Sequence, residues 1–220
     1  MDSKKEIVKI IKSLAGNYSE YQIFSDWVAM MALSIQNGCV LFHDDLWERR
    51  NKEYLNTKEK YSNTQFDKFV QMFGLLILAL ENEVGDVLGE IYMESGSGSK
   101  SGGQFFTPFH VSKMVSDLAI GNDVSENHKL TLNEPSCGGG GMIIAAAKVL
   151  YQKGINYQKC MEVVAQDVDW KAVYMTYVQL SLLGISATVV QGSTLTEPYI
   201  PGEYDEYRVL RTPRKTGVIF

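Results

Sequence analysis

The stretch Leu132-Asn-Glu-Pro-Ser-Cys-Gly-Gly-Gly-Gly-Met142 constrains this chain more than any other. A short apolar run, Leu130 to Leu132, leads into an acid, a proline and four consecutive glycines, and the alanine-rich segment 142–150 follows. The pattern is strand, bare-backbone turn, helix. Gly138 to Gly141 have no Cβ, so the chain can turn at positive φ and leave its N–H groups open to whatever lies against it. The helix start beyond adds partial positive charge and unsatisfied donors, which suits a carboxylate or a phosphate. The spacing is neither G-x-x-x-x-G-K-[ST] nor G-x-G-x-x-G, so on the glycines alone a flexible turn stays open beside a ligand loop.

Context favours the ligand loop. Strand 130–132, helix 142–150, strand 162–165, helix 170–182, strand 187–190 and a further strand 206–210 form a β-α-β-α-β series. Such a series predicts a parallel sheet with covering helices, whose ligands sit at the carboxyl ends of the strands. Glu134-Pro135-Ser136-Cys137 ends the first strand, Gln166-Asp167-Val168-Asp169 the second and Gly192-Ser193-Thr194-Leu195 the third. An acid about thirty residues after a glycine loop can accept hydrogen bonds from ribose hydroxyls. Asp167 is that candidate, and Asp169 is the N-cap of the helix that follows.

The first hundred residues read as helices. Ile7, Ile10, Ile11 and Leu14 recur at helical spacing, as do Phe24, Trp27, Val28, Met31 and Ile35, with Gly16-Asn17 and Asn37-Gly38 as breaks. Residues 44–61 predict a solvated helix, and Thr64-x-x-Asp67 opens one that is apolar nearly all round, through Phe66, Phe69, Val70, Phe73, Leu76, Ile77 and Leu80. Trp27, Trp47 and Phe73 are assigned to packing. Asp86-Val-Leu-Gly-Glu-Ile-Tyr-Met93 is a last short helix before a Gly/Ser-rich stretch. The domains expected are a helical one over 1–94, a linker over 95–103 and an α/β one over 104–220. Thr107 as N-cap and Pro108 at the first helical position open a helix whose apolar stripe is Val111, Met114, Val115 and Leu118.

Composition narrows the setting. A net charge of −5 argues against a broad nucleic-acid footprint, leaving Arg208, Arg211, Arg214 and Lys215 as a local basic cluster near the ligand edge, beside the alternative of an ordinary solvated surface. Three cysteines without C-x-x-C, and histidines 43, 110 and 128 without ligand spacing, predict neither disulfides nor a metal site. The longest apolar run, 75–80, is too short to span a bilayer, and no leader is evident, so a cytoplasmic protein is expected.

Asp-Val-Leu-Gly-Glu-Ile-Tyr (86–92), Gly-Gln-Phe-Phe-Thr-Pro (103–108), Glu-Pro-Ser-Cys-Gly-Gly-Gly (134–140), Ala-Gln-Asp-Val-Asp (165–169) and Gly-Ser-Thr-Leu (192–195) together resemble the ordered motifs of adenine-N6 DNA methyltransferases. The similarity is greatest to the modification subunits of type I restriction–modification systems. It covers roughly residues 86 to 215. The resemblance implies a Rossmann-like S-adenosylmethionine-dependent methyltransferase sheet, here truncated, behind an N-terminal helical domain. It implies that Phe105, Phe106, Thr107 and Pro108 hold the methionine end of S-adenosyl-L-methionine. Glu134, Pro135, Cys137, Gly138 and Gly140 then match the loop around the cofactor's amino-acid part, with Glu where Asp is usual. Asp167 matches the ribose acid and Val168 the apolar residue against the adenine. Ser193 stands where the family has an Asp facing the adenine amino group. DNA, and a specificity subunit or other chain, are the partners implied.

The tail departs from the family. Its base-holding motif, N-P-P-[YF], presents an Asn and a stacking ring to an adenine flipped out of the duplex. At that point this chain reads Thr212-Pro213-Arg214-Lys215, a degenerate form without amide or aromatic ring. Two readings follow. One is a DNA adenine methyltransferase completed by a partner chain; the other is a non-catalytic relative that binds cofactor or protein, such as a regulator or an anti-restriction decoy, beside the bland alternative of a scaffold whose loop is empty.

Overall fold

The computed structural model describes residues 2–40, 42–96, 106–121, 124–126 and 129–218. The chain divides into two compact units, one of residues 1–83 and 87–105, the other of residues 84–86 and 106–220.

The first unit is helical: α1 (Ser3–Leu14), α2 (Glu20–Gly38), α3 (Asp45–Lys58), α4 (Asn63–Asn82) and α5 (Val87–Glu94). Its core is the set of apolar positions spaced three and four apart on α1 and α2, including Ile7, Ile11, Phe24, Trp27 and Val28, closed by Phe69, Met72 and Leu76 of α4. Trp27 is fully buried and donates its indole N–H to the Phe69 carbonyl at 3.1 Å. Trp47 stacks on His43 with ring centroids 3.6 Å apart. The capping box of α4 is Ser62 with Gln65, two residues earlier than the Thr64-x-x-Asp67 reading. Serine at that place accepts from the Gln65 amide while the Gln65 side chain returns to the Ser62 amide, which satisfies two end donors at once. With Val70 and Leu78 exposed, α4 has one buried stripe and is not apolar all round.

The second unit holds α6 (Phe109–Ala119), β1 (Leu130–Glu134), α7 (Gly141–Gln152), α8 (Tyr157–Cys160), β2 (Met161–Asp167), α9 (Trp170–Leu182), β3 (Ser186–Gln191), a 3-10 turn (Glu206–Arg208), β4 (Val209–Arg211) and α10 (Pro213–Thr216). The sheet order is β1-β2-β3-β4. β1, β2 and β3 run parallel, in the register Glu134↔Ala165 and Asp167↔Gln191. The helices between them put apolar side chains on the sheet: Ile143, Ala147 and Leu150 of α7 and Val173, Tyr177 and Leu180 of α9 are fully buried. This is the mixed α/β architecture expected of a Rossmann-like sheet.

Three expectations fail within it. Residues 206–208 form a 3-10 turn, and β4 pairs with β3 antiparallel, in the register Val190↔Val209 and Thr188↔Arg211. The link 192–205 contains no helix to carry the chain back along the sheet, so the strand can only return in the opposite direction. Helix α6 begins at Phe109 with Pro108, not Thr107, in the cap position and no side-chain cap. Proline cannot donate to the first turn, and its carbonyl receives the Val111 and Ser112 amides. The stripe of α6 also faces outward: Ser112 and Ser116 are buried, whereas Met114 is 58% and Leu118 81% exposed. Two small serines four residues apart let α6 approach α7 closely, which a methionine or leucine on that face would prevent.

Candidate functional site

The site lies where β1, β2 and β3 end. Cys137, past the turn that ends β1, ties the chain to β2 by donating its amide to the Gln166 carbonyl at 3.0 Å. Gly138 then turns at φ +52°, and its amide reaches the Asp167 carboxylate at 2.9 Å. A Cβ on Gly138 would lie 3.0 Å from the Phe106 ring, so a side chain there would require the ring to shift. Gly140, left-handed at φ +90°, is the N-cap of α7, and its amide closes a turn onto the Cys137 carbonyl at 2.8 Å.

Asp167 organises this end of the sheet. One carboxylate oxygen takes the Gly138 amide and the other takes the Asp169 amide at 3.0 Å, while its own carbonyl accepts the Gly192 amide at 2.8 Å. The residue is only 7% exposed. A carboxylate offers about four lone-pair positions, so two remain for an incoming hydroxyl. Asp169 caps α9 by accepting from the Lys171 amide at 2.9 Å and pairs with the Lys171 ammonium at 3.3 Å. Val168 between them is 63% exposed, an apolar side chain presented at the strand end.

The remaining candidates fall around the same loop. Glu134 is half-buried; burial pushes its carboxyl above the usual range, a bond from the Ser136 amide holds it down, and the Asp167 charge raises it again. Burial pushes the Cys137 thiol up to about 12, so at neutral pH it is a packed thiol and not a nucleophile. Ser193 caps a turn by accepting the Thr196 amide at 3.4 Å, and the neighbouring Thr194 hydroxyl donates to the Pro135 carbonyl at 2.6 Å, tying the third strand end to the first. Phe106, Thr107 and Pro108 lead into α6, with Thr107 and Pro108 exposed. Phe105 lies outside the described residues.

Thr212, Pro213, Arg214 and Lys215 are not at this site. Thr212 is fully buried against Ile185 and Ala187, where β3 begins, and β3 reaches the ligand edge only at Gln191. Four residue steps, from Ala187 to Gln191, separate the two, about 13 Å at ~3.3 Å each. The antiparallel return of β4 is the cause: a parallel strand would have delivered these residues to the glycine loop. The basic cluster disperses for the same reason. Arg208 stays near the carboxyl end, bonded to the Gln191 carbonyl and to Glu197, Arg211 pairs with Glu206, and Lys215 pairs with Glu162 at the start of β2.

Three residues that the sequence reading gave no role hold the loop from below. Thr176 donates to the Gly138 carbonyl at 2.9 Å, and Gln179 donates to the Gly139 carbonyl and to Asp86, each at 2.8 Å. A signal for them existed: Thr176 and Gln179 are polar residues in a helix that is buried throughout 171–180. Among the described residues no group of His, Cys, Asp and Glu could hold a metal ion, and no helix is long and apolar enough to cross a membrane.

The family model described as N-6 DNA Methylase matches residues 83–210, more than half of the chain. The methylase subunit of the type I restriction enzyme MjaIX of Methanocaldococcus jannaschii is 28% identical over 133 residues, which cover 58% of this chain and 22% of that protein. The crystal structure of the methyltransferase subunit of a type I restriction-modification system from Streptococcus thermophilus superposes with a TM-score of 0.50 at 15% identity, covering 91% of this chain and 59% of that one. At that identity the likeness is one of fold. The chain thus matches about a fifth of the curated relative's length.

Proposed function

Since the chain belongs to the N-6 DNA methylase family, we propose that its second unit binds S-adenosyl-L-methionine at the carboxyl ends of β1, β2 and β3, in the service of adenine-N6 DNA methylation of the restriction–modification type. The observation that carries this reading is the pairing of a left-handed glycine loop with the Asp167 carboxylate, two lone pairs of which remain to receive vicinal hydroxyls. The side chains fit the cofactor. Glu134 and Asp167 make the mouth anionic, which suits a ligand carrying an ammonium and a sulfonium. Val168 offers an apolar face for a purine ring, and the Ser193 hydroxyl a weaker acceptor for its amino group than a carboxylate would be. Phe106 borders the loop, and Thr107 and Pro108 follow it into α6, on the side where the methionine end would lie.

When bound, the cofactor supplies an electrophilic methyl group on sulfur. The residues of this chain hold and orient it. A target adenine also needs an acceptor for its amino group and a stacking surface, and Thr212 to Lys215 provide neither from the far end of the sheet. We therefore assign base holding to another polypeptide segment, with a specificity subunit and DNA as the partners and the cytoplasm as the compartment. The displaced tail favours a second reading: a relative that binds cofactor or protein without turnover, as a regulator or an anti-restriction decoy would.

Calorimetric titration with S-adenosylmethionine, followed on the same sample by transfer of a labelled methyl group to mixed genomic DNA, tests both readings. Binding without transfer by the isolated chain is the expected result. Transfer by the chain alone would overturn the assignment of base holding elsewhere, and absence of binding would overturn the cofactor site.

A further inference from the structure

Asp86 opens the motif Asp-Val-Leu-Gly-Glu-Ile-Tyr, yet it lies beside the glycine loop of the second unit, which it joins with Val84 and Gly85 alone from that part of the chain. It is 4% exposed. One oxygen accepts from the Gln179 amide nitrogen at 2.8 Å, and the other would be 3.0 Å from a Cβ placed on Gly141, the first residue of α7. The carboxylate is thereby set against a helix start, where negative charge is favoured.

We propose that Asp86 is a positioning residue of the cofactor loop, acting through Gln179. The Gln179 amide nitrogen has two hydrogens, and both are used: one goes to Asp86 and one to the Gly139 carbonyl, at 2.8 Å. The Asp86 oxygen accepts this bond, so it fixes which end of the Gln179 amide faces the loop. Turned the other way, Gln179 would set its own carbonyl oxygen against that of Gly139. Thr176, one helical turn before Gln179 on the same face of α9, takes the Gly138 carbonyl at 2.9 Å. In a trans peptide the C=O of one residue and the N–H of the next point in opposite directions. Two consecutive carbonyls drawn onto α9 therefore turn the Gly139 amide away from it, which is the polarity a ligand loop needs, and direct the Gly140 amide onto the Cys137 carbonyl at 2.8 Å. Asp86 sets that polarity from ninety-three residues away in sequence.

The inference rests on the cofactor reading for its functional consequence, but not for its geometry. Asp86→Asn keeps the shape and lets residue 86 donate to Gln179, which releases the flip. Gln179→Met keeps the shape and removes the donor. The test measures S-adenosylmethionine affinity for both variants and the double variant, with amide spectra of Gly138 to Gly141 in the ligand-free protein. Each single change is expected to weaken binding about tenfold, the double change no more than the stronger single, and the Gly139 and Gly140 amide resonances are expected to move in both variants. Additive losses in the double variant, or unchanged affinity in Asp86→Asn, would overturn the relay. If Asp86→Asn does not fold, Gln179→Met alone decides through the same resonances and affinity. Should the unaltered protein bind no S-adenosylmethionine, the cofactor reading fails by itself, while unmoved glycine resonances sink the positioning role independently.

Discussion

The Thr212 hydroxyl donates to the Ile185 carbonyl at 2.7 Å and accepts the Ala187 amide at 2.9 Å, so this side chain pins the end of β4 to the beginning of β3. The family's base-holding position, read along the sequence, is here a structural latch. Thr212→Val removes both bonds while nearly preserving volume, and it leaves two buried backbone groups unpaired. We expect a loss of about 1–3 kcal/mol in denaturant unfolding with S-adenosylmethionine affinity unchanged. A parallel loss of affinity would show that the two ends of the sheet are coupled. Asn-Pro-Pro-Tyr substituted at 212–215 is expected to give no methyl transfer, and transfer from that change alone would contradict the position of β4.

Gly138 tests the loop itself. At φ +52° any L side chain is strained by roughly 1–2 kcal/mol, and valine would also meet the Phe106 ring. Gly138→Val and Asp167→Ala should each abolish cofactor binding while circular dichroism stays native. Gly138→Ala combined with Phe106→Ala removes the contact but not the strain, so only partial recovery is expected. Full recovery would assign the effect to the ring alone.

Glu134 gives a pH signature. Burial first, and the Asp167 charge after the opposing Ser136 bond, raise its folded-state pKa above the unfolded value. A raised pKa means that its favourable contribution is complete below the ordinary glutamate range and is lost as pH climbs through the folded value. Glu134→Gln mimics the protonated form. Its melting temperature should therefore exceed the parent's at pH 7 and match it near pH 4, while cofactor affinity falls because the ammonium partner is gone. An equal gain at both pH values would refute the electrostatic origin.

The thiols should separate cleanly. Cys137 is held near 12 by burial, and Cys160 is buried and raised by the same cause, whereas Cys39 is partly exposed. A thiol reagent at pH 8 should modify Cys39 first and reach the other two only on unfolding. Prompt labelling of Cys137 in the native protein would place it outside the packed layer beneath the loop.

Much of this was legible in the residues. Trp170–Leu182, the Asp169 cap and the glycine turn carry local signals, a period, a capping side chain and missing Cβ atoms, that need no tertiary partner to be read. The direction of β4 was not, because alternation along Val209–Arg211 is the same whichever way the strand runs. Nor was the facing of α6. Apolar spacing named Met114 and Leu118 as its buried side, but close helix packing selected Ser112 and Ser116. Asp86 and Gln179 are joined across ninety-three residues by one hydrogen bond, which no window of sequence contains.

The Cys137 amide on the Gln166 carbonyl and the Gly138 amide on Asp167 have a kinetic meaning. They tie the loop to the last two residues of β2, so the loop moves with the sheet and not as a flap. The Cys137 and Gly138 amides should exchange with deuterium as slowly as those of Val163 or Ala165. A ligand reaching such a surface finds it already in shape. The observed association rate should then rise linearly with ligand concentration, and levelling to a plateau would reveal a closing step.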